Sequence, residues 1–181
     1  MTNDLSKISP YDLLDKLKLS KPPFNPFIIA EKLGLEVDQS LDLSNLNLSG
    51  SITNKNGNVK IWINPLDSEG RQRFTLAHEL GHYVYDILTD GDQVIQDTPE
   101  TLYRNNQRHT REYRANDFAG MLLMPKFSII EEATNLIEAS PQQSLPTIKV
   151  IEKLAEIFEV SKPAMLVRLK KLNIVDQDYK L

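Results

Sequence analysis

Phe74-Thr75-Leu76-Ala77-His78-Glu79-Leu80-Gly81-His82-Tyr83-Val84 is the stretch on which the reading of this chain turns. Phe74, Ala77, Leu80, Gly81, Val84, Ile87 and Leu88 recur at three- and four-residue spacing, which predicts an amphipathic helix over about 69–88. On such a helix positions four apart share a face, so His78 and His82 can both address one ion. Glu79 lies about 100° round from His78, beside such an ion without binding it. A general base belongs there if it is to take a proton from water. The pattern suggests zinc-dependent hydrolysis, with peptide bonds the first substrate to consider. Gly81 costs a helix interior about 1 kcal/mol. That cost fits a place where another element must come close.

Working outward, a catalytic zinc wants a third protein ligand and an open position. The chain has no Cys and only three His, so the candidates are His109 and the carboxylates. A second helix is predicted from Thr110 to about Met124, with Ala115, Phe118, Ala119, Leu122 and Leu123 on its buried face. Glu112 lies beside that face, where a carboxylate without a partner would be costly. A metal is one such partner; a surface pair with Arg108 or Arg111 is the alternative. Asn116, one turn further on, is placed to hydrogen-bond a ligating histidine. For an additional oxyanion donor the candidates are Tyr83, Tyr85, Tyr103, Tyr113 and His109.

The other elements follow from punctuation. Ser9-Pro10 and Asn25-Pro26 are helix starts, and Gly34 is a stop. Leu35-Glu36-Val37 is read as a strand. Ser51-Ile52-Thr53 and Val59-Lys60-Ile61-Trp62-Ile63 alternate around an Asn56-Gly57 turn, a β-hairpin. Residues 41–48 give no clear signal. Residues 89–109 lack periodicity and read as a mobile loop, either a connector or a substrate-facing lid. Further helices are expected at about 126–138, 147–159 and 162–172.

At 181 residues and 40% apolar, the chain has enough material for a real core. The net charge of −4 gives no global attraction to nucleic acid. Without Cys there can be no disulfide, thiol nucleophile or Cys-ligated zinc. No signal pattern and no long apolar run is seen, so a cytoplasmic protein is expected, with no membrane or nucleotide among its partners.

The run from Arg73 to Tyr83, followed by Glu112-Tyr113-Arg114-Ala115-Asn116-Asp117-Phe118-Ala119 and Leu122-Leu123-Met124-Pro125, resembles the ImmA/IrrE family of bacterial metallo-endopeptidases. Similar segments extend over about residues 22–173. The resemblance implies an α+β, gluzincin-like core: a small antiparallel sheet, the H-E-x-x-H helix and a Glu-bearing helix. It implies zinc on His78, His82 and Glu112, with Glu79 as base and Asn116 behind a ligand. It also implies a protein substrate, a helix-turn-helix transcriptional repressor cut at one site. Arg114 stands where many members have an acidic or polar residue; that position should face away from the metal.

Residues 139–181 are expected to form a helix-turn-helix-like segment after a peptidase domain spanning 1–138. Ala155 to Ser161 followed by Met165 fits that pattern, with Ser161 as cap, but Glu159 stands where Gly is usual. Between Thr147 and Asn173 six basic and three acidic residues leave +3. DNA binding is thus conceivable, and a packing or substrate-docking role is preferred. The rival readings are a DNA- or repressor-binding regulator and a toxin–antitoxin component, each with a non-catalytic zinc. The intact Glu79 and the absence of Cys ligands speak against a purely structural ion.

Overall fold

The computed structural model describes residues 5–91, 93–97, 109–139 and 146–181. Two short helices come first, α1 (Pro10–Lys16) and α2 (Pro26–Lys32). Ser9 accepts a hydrogen bond from the Asp12 N–H, and Asn25 accepts one from Phe27. Pro10 and Pro26 occupy first-turn positions, where an N–H would have no helical partner. Gly34 follows α2 with φ +71°, a conformation costing other residues about 1–2 kcal/mol.

Four strands make one sheet: β1 (Glu36–Asp38), β2 (Gly50–Lys55), β3 (Asn58–Ile63) and β4 (Gln93–Asp97), in the order β1-β3-β2-β4. The predicted hairpin is β2–β3. Asn56 and Gly57 both have positive φ, as a two-residue turn of matching twist requires. Two expectations are corrected. The sheet is mixed, because β1 runs parallel to β3. The connection over 39–49 skips one position, and β3 of the hairpin fills it. Second, part of the expected loop is a strand: β4 pairs antiparallel with β2. Val94 points outward and Ile95 inward, an alternation too short to stand out among the surrounding acidic residues. Ile61, Ile52 and Ile95 lie in register across three strands, and all three are buried.

The motif helix α3 (Glu69–His82) runs into a π-helical turn, Tyr83–Ile87, and one further turn, α4 (Leu88–Asp90). It was expected to be buried along one stripe, yet every residue from Thr75 to His82 is buried. Helix α5 (His109–Leu123) covers one side and β2 approaches another. Gly81 makes the first contact possible, since a Cβ there would lie 2.9 Å from the Ala115 Cα. Gly50 makes the second possible: its Cβ would lie 2.5 Å from the Thr75 Cγ2.

Three helices complete the chain: α6 (Lys126–Glu138), α7 (Thr147–Ile157) and α8 (Lys162–Lys171). Ser161 caps α8 as expected, accepting from the Ala164 N–H. Ile151, Leu154, Phe158, Met165 and Leu169 belong to the same buried cluster as Leu76 and Phe118. Glu159, between α7 and α8, has φ +51°, and its carboxylate meets the buried Arg73 of α3 at 2.9 Å. The buried Arg168 of α8 donates to the Met124 carbonyl at 2.9 Å. Among the described residues, no helix is long and apolar enough to cross a membrane.

Candidate metal centre

Three donor atoms converge between α3 and α5. His78 Nε2 and His82 Nε2 are 3.0 Å apart, and Glu112 Oε2 lies 3.2 Å from the first and 3.6 Å from the second. Donors about 2.0–2.1 Å from one tetrahedral ion sit about 3.3 Å apart, so this group fits a divalent metal without rearrangement. His78 and His82 are fully buried, and the Glu112 side chain is 15% exposed. Of the three, only Glu112 reaches solvent.

The far nitrogens of both rings are also held. His78 Nδ1 faces Asn116 Oδ1 at 3.0 Å, as the sequence suggested. His82 Nδ1 faces Asp86 Oδ2 at 2.7 Å. Both oxygens are acceptors, so each ring carries its proton on Nδ1 and turns the Nε2 lone pair toward the other donors.

Sequence reasoning missed Asp86. The available signal was its spacing of four from His82, the same spacing that relates the two histidines. Burial raises the Asp86 carboxyl pKa, but the hydrogen bonds from His82 and Arg111 and the positive charge of Arg111 outweigh it and hold the group below its ordinary value. Arg111 Nε meets Asp86 Oδ2 at 3.0 Å, and Arg114 Nη2 meets Oδ1 at 3.2 Å. Of the two arginines considered as surface partners of Glu112, Arg111 turns to Asp86, while Glu112 faces the histidines, and Arg108 lies outside the described residues. Arg114 was expected to face away from the metal, and it pairs with the Asp86 carboxylate. It is nonetheless only one residue removed from His82, and its guanidinium covers the Tyr85 ring.

Glu79 is fully buried on the same helix. A Cβ on Gly50 would come 2.7 Å from its Oε1, so the bare backbone of β2 leaves room for this carboxylate. Of the candidate oxyanion donors, Tyr83 is buried, and that burial raises its hydroxyl pKa. Tyr85 packs edge-on against Phe118, and Tyr113 is exposed beside Lys171. None of these three is placed at the convergent donors by a contact in the structure. Tyr103 and the side chain of His109 lie outside the described part.

An α+β domain with an H-E-x-x-H helix and a carboxylate delivered by the next long helix has the build of a metal-dependent peptidase. Residues 30–170 match the profile of the IrrE N-terminal-like domain. The radiation response metalloprotease IrrE of Deinococcus radiodurans is 31% identical over 119 residues, 66% of this chain and 33% of that protein. The chain thus spans about a third of that relative's length. It belongs to the family of the IrrE N-terminal-like domain, a family of metallopeptidases.

Proposed function

We propose that this protein is a cytoplasmic zinc-dependent endopeptidase that cuts one bond in a helix-turn-helix transcriptional repressor. The convergence of His78, His82 and Glu112 is the observation that carries the reading, with Glu79 buried on the same helix one residue after His78. Two imidazoles and one carboxylate, with a fourth position open, are the donor set of a catalytic zinc. When bound, zinc supplies Lewis acidity, polarising a carbonyl and making water acidic near neutral pH.

The chain's own residues do the rest. Glu79 takes a proton from the attacking water as it adds to the scissile carbonyl. The same carboxylate then delivers that proton to the leaving amine. Its seat between Gly50 and α3 limits the positions open to it, so little orientation is lost before reaction. Asn116, within hydrogen-bond reach of the far nitrogen of His78, fixes that ring plane.

The repressor substrate follows from family resemblance. The C-terminal helices favour protein docking over DNA. Lys149 and Lys162 are engaged by Glu152, Lys171 by Asp117, and Arg168 is buried. Four of the six basic residues are therefore committed within the protein, which leaves little charge for a phosphate backbone.

The test is to incubate the protein and zinc with the repressor encoded beside its gene, and to compare wild type with Glu79→Gln by intact mass. One new cut made by wild type alone is expected. Binding with no cut by either protein would replace this reading with that of a regulator. Equal cutting by Glu79→Gln would remove the base from the mechanism.

A further inference from the structure

We infer that Asp86, clamped by Arg111 and Arg114, is a positioning residue of the metal centre that fixes His82 as a ligand. The inference rests on the metal-centre reading above. A buried carboxylate needs compensation, and the two arginines of α5 could supply it alone. Yet the shortest contact of Asp86, 2.7 Å, goes to His82 Nδ1. A carboxylate accepting from the far nitrogen raises the basicity of the coordinating one and holds the ring plane.

The backbone is adapted to this contact. The helix widens immediately after His82, where the Leu88 N–H bonds to the Tyr83 carbonyl five residues back. Such π turns are rare and cluster at functional sites. Asp86 lies inside this one. The clamp also joins separate parts of the fold, because Arg111 donates to Gln93 of β4 as well as pairing with Asp86. Helix α5 therefore contributes to the centre twice, through Glu112 directly and through the arginines by way of Asp86. The support is unequal: His78 leans on a neutral amide and His82 on a charged carboxylate. Asparagine at 86 could keep one oxygen on His82 only by turning its N–H2 toward the arginines.

The experiment measures ion binding, not cleavage. Wild type, Asp86→Asn and the double variant Arg111→Ala/Arg114→Ala are titrated with Zn2+ against a competing chelator, and with Co2+ followed by visible absorption. Circular dichroism checks the fold of each. Asp86→Asn is expected to weaken zinc binding about 10- to 100-fold and to shift the cobalt bands. The double variant, altered at side chains 35% and 45% exposed, is expected to fold and to weaken binding in the same direction. A folded Asp86→Asn protein with wild-type affinity and cobalt spectrum would overturn the inference. So would a double variant with wild-type affinity if Asp86→Asn does not fold. Wild type that bound neither ion would overturn the metal-centre reading itself, and this inference with it.

Discussion

Gly81 of α3 and Ala115 of α5 touch so closely that a single added methyl group would sit 2.9 Å from backbone. The contact lies one residue from His82 and three from Glu112, so it sets the distance between ligands. Gly81→Ala should gain about 1 kcal/mol in helix propensity and lose about 1–3 kcal/mol to overpacking, since backbone cannot swing aside. The expected result is a net loss of stability in denaturant unfolding, together with weaker zinc binding as α5 carries Glu112 away. A variant more stable than wild type would show that α5 is free to shift.

Gly50→Ala tests the other side of α3. The new methyl group would press on Thr75 and on the Glu79 carboxylate, neither of which is a proposed ligand. Zinc binding should survive while cleavage falls on the order of 100-fold, the scale of an ångström's misplacement. The check is kcat/KM alongside zinc content; unchanged cleavage would mean that Glu79 tolerates displacement.

Zinc should also stabilise the fold. At a concentration 100 times its Kd, a ligand that binds only the folded state adds about 2.7 kcal/mol. Thermal unfolding should shift upward with zinc and return on chelation. His78→Ala should abolish the shift.

One acid-sensitive link lies away from the centre. Glu152 of α7 receives hydrogen bonds from Lys149 and from Lys162 of α8, which hold its carboxyl down to about 2 from an ordinary 4.5. A lowered folded-state pKa stabilises above the unfolded value and loses that contribution as pH falls through the folded one. Its contribution should be complete above about pH 4.5 and fade toward pH 2. Solvent screening keeps the effect small. Acid titrations of wild type and Glu152→Gln should converge at the low end of that window.

Local signals in the chain were readable and long-range ones were not. His78, Glu79 and His82 are legible because one helical turn relates them. Glu112 and Asn116 are legible from the burial pattern of their own helix. Asp86 carried the same four-residue spacing but no motif that drew attention to it. Its meaning depends on Arg111 and Arg114, which reach it only once α5 docks. Strand β4 is invisible because five residues of alternation need β2 beside them to become a strand. The parallel placement of β1 depends on which gap the hairpin fills, and no residue of β1 encodes that. Glu159 read as a poor match for a turn that favours Gly. The structure shows it in the left-handed conformation after all, at φ +51°, with its carboxylate held by Arg73.

The contribution of α5 to the centre has a consequence for how the protein is made. When the ribosome has released residues 69–90 but not yet 109–123, the nascent chain holds only two of the three convergent donors, His78 and His82. Tight capture must wait for α5 to emerge and settle against Gly81. Ion loading should therefore be a late event in biogenesis, and the proposed peptidase activity should not precede the docking of α5.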